Sequence, residues 1–433
     1  MPITLSLTPR RPALLADQAT RLELLVRLGA EADAPAAALP ATPRPALNLA
    51  IVLDRSGSMA GRPVEEAKRL AIRMAESLAP RDRAALVVYD HQVDVLVPAA
   101  PAGEANAFRA ALAGINARGN TDLHAGWKAG ARQIAPFATA RCISRVLLLS
   151  DGRQNWGTTD AEEICARVAR MAAAGVSTST FGLGNGFNEA LMSAMARAGQ
   201  GSAYYGDTAP DLAEPFATEL ALVNALVARR VRLVLRPAAG CVLQVLGAAA
   251  EEEDGIVLPD LAEGAATWAL VALTVPAAHR GTVLSAHATW QELRTGRDQR
   301  SETISLELPH LPAAAFAAVA EDEAVVARAA EVAAAGLLAR ARTAAYDGDW
   351  KKVERLSAKA RTLAKASPWL AAVLAELQAL AARRDTDRFA KEAHYSVQEM
   401  IVSRETLLRY EARSAKPAPF LRRKTRQGKA AGA

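Results

Sequence analysis

Two hydrophobic periods alternate along this chain, and the places where one gives way to the other divide it into segments. From Leu47 to about Arg229, short apolar runs alternate with stretches whose apolar residues recur every three or four positions. The short runs predict strands at Leu47–Leu53, Ala84–Tyr89, Val93–Val97, Ser144–Leu149, Val176–Phe181 and Ala203–Tyr205. The longer stretches predict helices at Val64–Leu78, Glu104–Ile115, Leu123–Ile134, Ala161–Ala174, Asn188–Arg197 and Asp211–Ala228. Leu47–Leu53 and Val146–Leu149 are apolar on both faces, which suits central parallel strands covered by helices on each side. Too few residues separate Ala84–Tyr89 from Val93–Val97 for a helical crossover, so that pair reads as a hairpin with an antiparallel edge strand. The expected fold of this segment is a doubly wound, Rossmann-like α/β domain.

The flanks carry other patterns. Ile3–Leu7 and Arg21–Leu28 are strand candidates that cannot bury a core alone, and an Ala/Pro-rich linker from Ala30 to Pro45 follows them. After Arg230 the period becomes two, with strands expected at Val231–Leu235, Cys241–Leu246, Thr267–Val275, Thr282–Trp290 and Thr303–Leu308. These and the N-terminal strands are expected to form one β-sandwich, into which the α/β domain is inserted. From Leu311 the chain reads as helices: Ala313–Tyr346, Trp350–Lys365, Pro368–Arg383 and Asp387–Tyr410, with Asp347-Gly348-Asp349 as a helix junction. These helices resemble a tetratricopeptide-like hairpin array, without a clear repeat period. The expected division is therefore residues 1–46 (N-terminal strands of the sandwich), 47–229 (α/β domain), 230–310 (rest of the sandwich), 311–412 (helical domain) and 413–433 (a disordered tail).

Three loops concentrate oxygen at one expected edge of the α/β sheet. Asp54-Arg55-Ser56-Gly57-Ser58-Met59 follows an apolar strand and precedes a helix, the position where doubly wound sheets bind ligands. Asp54, Ser56 and Ser58 alternate, so their oxygens can converge while Gly57 permits a tight turn. Gly119-Asn120-Thr121-Asp122 and Ser150-Asp151-Gly152 are expected at the same edge. An all-oxygen set selects Mg²⁺, Ca²⁺ or Mn²⁺ over zinc. None of the six histidines falls in a ligand spacing, and each reads as a surface or satisfied core residue.

The pattern Asp54-x-Ser56-x-Ser58, Thr121, Asp151 resembles the metal-ion-dependent adhesion site (MIDAS) of the von Willebrand factor type A (VWA) domain, over roughly Leu47 to Arg229. The resemblance implies that Ser56, Ser58 and Thr121 coordinate a divalent cation directly, while Asp54 and Asp151 hold it through waters. Hydroxyl ligands leave the ion's charge poorly neutralised, so a partner's Asp or Glu carboxylate is expected to complete its coordination. The wider layout is similar to bacterial intracellular relatives and to inter-alpha-trypsin-inhibitor heavy-chain-like proteins. It implies a non-enzymatic binding or scaffolding module, with an AAA+ ATPase as one class of partner. No G-x-x-x-x-G-K-[ST] occurs, so nucleotide chemistry would belong to that partner. The competing readings are a Mg²⁺-dependent hydrolase with Asp54 as nucleophile, or a structural metal site with binding through the helices or the tail. Against the hydrolase, Ser56 stands where an Asp-x-Asp phosphatase motif carries its second aspartate.

Composition changes this picture little. Hydrophobic residues at 51% and charged residues at 23% describe an ordinary globular chain. The formal charge of +6 is concentrated between Arg413 and Ala433, where seven basic residues meet no acidic one, and without them the body is at about −1. That tail can serve nucleic acid, acidic protein or anionic lipid, or merely keep the chain soluble. The high isoelectric point is thus a property of the tail, and nucleic acid is not expected as a partner except through it. Cys142, Cys165 and Cys241 are odd in number and far apart, so no disulfide framework is expected. Met1–Gln18 lacks the apolar run of a signal peptide and no run of about 18 apolar residues occurs, so a cytoplasmic, membrane-free protein is expected. Trp156 is placed either on the rim of the metal face or in the core.

Overall fold

The computed structural model describes residues 3–30, 45–102, 105–151, 154–183, 187–206, 209–247, 250–252, 255–401 and 404–406. Most of the Ala/Pro linker, Gly152 and Arg153, and the basic tail lie outside the described residues. In chain order the first strands are β1 (Ile3–Pro9), β2 (Leu14–Leu15) and β3 (Thr20–Ala30). The α/β segment follows with β4 (Ala46–Asp54), α1 (Arg62–Glu76), β5 (Arg83–Tyr89), β6 (Val93–Pro101), α2 (Ala105–Ala113), α3 (Leu123–Ile134) and β7 (Cys142–Ser150). It ends with α4 (Ala161–Ala173), β8 (Val176–Leu183), α5 (Glu189–Ala198), β9 (Gln200–Gly206) and α6 (Ala209–Asn224).

Six strands form its sheet in the order β6-β5-β4-β7-β8-β9. All pairs are parallel except β5–β6, the expected antiparallel hairpin. β4 and β7 are buried along nearly their whole length, which is why their sequences are apolar on both faces. Helices α3, α4 and α5 lie together against the sheet, and α1 adjoins both α2 and α6. The seating of α3 is close: a Cβ at Gly126 would fall 2.4 Å from the Tyr89 ring, and one at Gly130 2.4 Å from Val52. Four residues apart, these two glycines share one helix face and let the backbone approach the strands. Trp127 adds a hydrogen bond of 3.0 Å from its indole nitrogen to the Thr178 hydroxyl.

One departure from expectation lies at the end of this segment. The helix expected to reach Ala228 stops at Asn224, and β10 (Leu226–Pro237) starts two residues later. Leu226, Ala228, Val231 and Leu233 are buried there, so packing along a strand overrides the helical preference of alanine.

The remaining strands are β11 (Val242–Leu246), β12 (Ala250–Glu252), β13 (Gly255–Val257), β14 (Leu261–Ala262), β15 (Ala265–Val275), β16 (Thr282–Glu292), β17 (Asp298–Arg300), β18 (Ile304–Glu307) and β19 (His310–Leu311). One sheet runs β1-β3-β15-β11, and a second runs β12-β13-β10-β16-β17 with β18 also on β16. β3 pairs with β15 over ten residues, from Gly29↔Ala266 to Thr20↔Val275. The N-terminal strands thus find their partners beyond the α/β segment.

Helices α7 (Ala313–Ala318), α8 (Glu323–Tyr346), α9 (Trp350–Leu363), α10 (Pro368–Ala382) and α11 (Thr386–Ile401) close the described chain, with a short β20 (Arg404–Thr406) on β15. The single helix expected over Ala313–Tyr346 is two. Asp322 caps α8 by accepting from the Val325 N–H at 3.0 Å, while Glu321 is drawn to Arg10 and Arg11 at 3.0 and 3.1 Å. The helices bury Leu338, Leu370, Leu374, Phe389 and their neighbours in one core. The first turns of α8 meet the β3–β15 sheet, where Val325 packs with Leu25, Trp268 and Leu270. By contact the chain forms two compact units: residues 37–227 with 291–297, and residues 1–36, 228–290 and 298–433. No described helix is long and apolar enough to cross a membrane. The three cysteines are free thiols.

Candidate metal centre

Asp54 is the last residue of β4, and Asp151 follows β7 directly, so neighbouring parallel strands deliver both carboxylates to one edge. Asp54 Oδ1 accepts the Ser56 N–H at 2.7 Å, and its Oδ2 accepts the Ser150 hydroxyl at 2.5 Å. The Ser58 hydroxyl donates to Asp151 Oδ1 at 2.7 Å and lies 3.1 Å from the Ser56 hydroxyl. Four of the five expected residues therefore form one continuous polar chain.

Thr121 enters through its loop. The Gly57 N–H donates to the Gly119 carbonyl at 3.0 Å, joining the first loop to the second. Gly57 is needed there for closeness and not for a left-handed turn, since its φ is not positive and a Cβ would lie 3.3 Å from the Gly119 carbonyl. Asn155 then ties the second loop to the third: its side chain accepts the Thr121 N–H at 2.8 Å, and its own N–H donates to the Thr121 carbonyl at 3.2 Å. Asp122 caps α3, accepting from the Ala125 N–H. Trp156 is 52% exposed beside these residues, with its ring edge-on to His91, so of its two expected placements the rim is the observed one.

Asp54, Ser56, Thr121 and Asp151 are all buried. Burial raises the Asp54 carboxyl above its ordinary range, against the opposing hydrogen bonds from Ser150 and Ser56. Burial, together with the Asp54 charge, raises Asp151 to about 6, although its bond from Ser58 opposes this. Beneath them, burial and the Asp54 charge push the Tyr89 phenol well up. No basic side chain pairs with Asp54 or Asp151 among the described residues. Two buried carboxylates without a counter-charge are costly, and a divalent cation would remove that cost. The donors are oxygens only, and no group of three or more His, Cys, Asp or Glu able to hold a metal occurs among the described residues. The residues present thus fit a hard cation on two carboxylates and neutral hydroxyls.

Sequence reasoning passed over Asp90. Fully buried after β5, it accepts from Arg55 Nε and Arg118 Nε at 2.8 Å each and from the Gln92 N–H at 2.7 Å. Its carbonyl accepts the Asp122 N–H at 2.8 Å. Burial alone would raise its carboxyl; bonds from Arg118, the Gln92 N–H and Arg55 outweigh it and hold Asp90 below the ordinary range. Asp90 thereby fixes Arg55 of the first loop and Arg118 before the second. Its sequence setting, a hairpin turn, carries no sign of this, because Asp is common in turns. Asp90→Asn is expected to cost about 2–3 kcal/mol of stability and to weaken Mg²⁺ binding about tenfold. Unfolding midpoints and a metal titration check both, and unchanged metal affinity would show that the loops hold without it.

Comparison with known proteins bears on the α/β segment as a domain. Residues 48–217 match the family model of the von Willebrand factor type A domain, and this segment is such a domain. An uncharacterized protein of Synechocystis sp., sll0103, is 30% identical over 184 residues, 42% of this chain and 41% of its own length. Human inter-alpha-trypsin inhibitor heavy chain H4 is 31% identical over 150 residues, 33% of this chain and 16% of its own. The chain thus spans less than half of either relative. Among solved structures, the von Willebrand factor type A protein from Catenulispora acidiphila superposes with a TM-score of 0.68 at 14% identity, covering 94% of this chain and 97% of that one. That likeness concerns the fold and extends beyond the α/β segment.

Proposed function

We propose that this chain is a metal-dependent binding module whose VWA domain holds a divalent cation on Asp54, Ser56, Ser58, Thr121 and Asp151 and docks an acidic residue of a protein partner there. The observation that carries the proposal is the pair of buried carboxylates, Asp54 and Asp151, which meet no basic side chain among the described residues and are joined to the Ser56 and Ser58 hydroxyls. When bound, the ion supplies a positive charge that neutral hydroxyls leave available to an incoming carboxylate. Mg²⁺ is the preferred ion, with Mn²⁺ and Ca²⁺ as alternatives, because every donor is a hard oxygen.

The chain's own residues do the positioning. Ser150 and the Ser56 N–H hold the Asp54 carboxylate, Ser58 holds Asp151, and Asn155 holds the Thr121 backbone. Trp156 on the rim offers a partner an apolar anchor beside the charge. Of the two nearby arginines that could clamp a phosphate, Arg153 lies outside the described residues, and Arg55 is bound to Asp90 and Asp94 at 2.8 and 2.5 Å, which weakens a hydrolase reading. An adaptor beside an AAA+ ATPase in the cytoplasm is the form of partnership we favour. We also read the two sheets outside the α/β segment as a sandwich that this domain interrupts, supported by the β3–β15 pairing.

The test is a calorimetric Mg²⁺ titration of the wild-type chain and the Asp54→Ala/Ser56→Ala variant, followed by partner capture from a lysate with and without EDTA. One saturable site lost in the variant, and partners lost both in the variant and in EDTA, are expected. A variant that binds Mg²⁺ like wild type would overturn the site assignment. Capture indifferent to both changes would overturn the docking role.

A further inference from the structure

The alternation of β16 leaves Ser285 and His287 directed away from the apolar side formed by Leu284, Ala286 and Ala288. A cavity of about 400 Å³ lies over Ser285 and His287, walled by Arg236 at the end of β10, by Arg300 at the end of β17, and by Thr282 and Thr303. His287 is only 8% exposed. The segment carrying Arg300 is fastened beside it: the Ser301 N–H donates to the Ala288 carbonyl, and the Ala288 N–H donates to the Ser301 hydroxyl, each at 2.9 Å.

The charges here are unbalanced. Among the described residues, Arg236, Arg300 and His287 form no ion pair with a carboxylate. Arg300 donates to the Thr303 hydroxyl at 3.4 Å, leaving the Thr303 proton free to point elsewhere. Ser285 stands 3.3 Å from the Ser305 hydroxyl. The Thr282 hydroxyl donates to Glu307 at 2.8 Å, so one carboxylate stands beside the lining. We propose that this cavity is a binding site for a small phosphate-bearing anion, held by the Arg236 and Arg300 guanidiniums with His287, Ser285 and Thr303 completing its hydrogen bonds.

The donor count favours phosphate over carboxylate. A carboxylate presents two oxygens in one plane, which two guanidinium forks already saturate. A terminal phosphate presents three oxygens in a tetrahedral array, enough for donors arriving from three strands. The imidazole supports the arrangement: burial first, then the charges of Arg300 and Arg236, lower its proton affinity, so both cations are close enough to be felt. The site is separate from the candidate metal centre, since every lining residue belongs to the compact unit outside residues 37–227.

Arg236 and Arg300 are exposed, so truncating either should leave folding intact. The experiment titrates the full chain with inorganic phosphate and with pyrophosphate, in EDTA and at constant ionic strength, read by ³¹P line broadening and calorimetry. Acetate serves as the carboxylate control. Saturable phosphate binding is expected, at least tenfold tighter than acetate, weakened at least tenfold by Arg236→Ala or Arg300→Ala and unchanged by Lys351→Ala on α9. Tighter pyrophosphate binding would assign a diphosphate-bearing ligand, and equal or weaker binding a monophosphate; either supports the site. Non-saturable binding, no preference over acetate, or equal loss in all three variants would overturn it.

Discussion

Glu219→Ala is expected to lose about 3–5 kcal/mol of stability and to lower the melting temperature by on the order of 10 °C. The reason is a single carboxylate that holds the last helix of the α/β domain against its sheet. Glu219 on α6 receives Arg145 Nη1 at 2.5 Å, the Ser179 hydroxyl at 2.6 Å and the Tyr204 hydroxyl at 2.7 Å. Arg145 is wholly buried and Glu219 is 1% exposed. Removing the carboxylate strands a guanidinium in an apolar interior, which costs more than the pair contributed. The double change Arg145→Met/Glu219→Leu should recover most of the loss, because it removes both charges and keeps volume. Burial alone would raise the Glu219 carboxyl; the Arg145 charge and the hydroxyl bonds hold it below its ordinary value. A depressed folded-state pKa contributes stability that is present above the unfolded carboxyl pKa, about 4.3. That contribution is lost as the pH falls through the folded value. Wild type should therefore show an acid-side loss that the double variant lacks. A Glu219→Ala melt within a degree of wild type would refute the anchoring role.

The second large effect has opposite signs with and without metal. Asp54→Asn is expected to abolish the thermal shift produced by saturating Mg²⁺. A ligand at a hundred times its dissociation constant contributes about 2.7 kcal/mol, or roughly 5–10 °C here. In EDTA at neutral pH, the same variant should melt a few degrees above wild type. Asp54 and Asp151 are both raised by burial, so their folded-state values lie above the unfolded ones. Groups of that kind support folding at low pH and lose the contribution as the pH rises through the folded value, about 6 for Asp151. At neutral pH the metal-free site is thus a local cost, which asparagine removes and a cation reverses. Differential scanning calorimetry in EDTA and in Mg²⁺ reads both halves. A variant less stable in EDTA would mean that the Asp54 charge is satisfied by the protein itself.

The chain's apolar periods determined the α/β architecture. β4 and β7 carry side chains that water disfavours on both faces, so a sheet covered by helices is the arrangement open to them, and the hairpin at β5–β6 follows from connection length. The oxygen-bearing residues were legible as well, since Asp54 and Asp151 sit at strand ends that parallel pairing must bring to one edge. Tertiary structure decided what depends on partners distant in sequence. The Arg145–Glu219 pair joins residues 74 positions apart, and Asp90 reaches Arg55 and Arg118 from a turn of ordinary composition. The break before α8 rests on a cap and on arginines more than 300 residues away, whereas local propensity favours a continuous helix. Arg236 and Arg300 read singly as surface charges; only the folding of β10, β16 and β17 side by side sets them around His287. Local periodicity reports which face of an element meets water. Which charges meet each other is set by chain closure over long separations, and no local pattern encodes it.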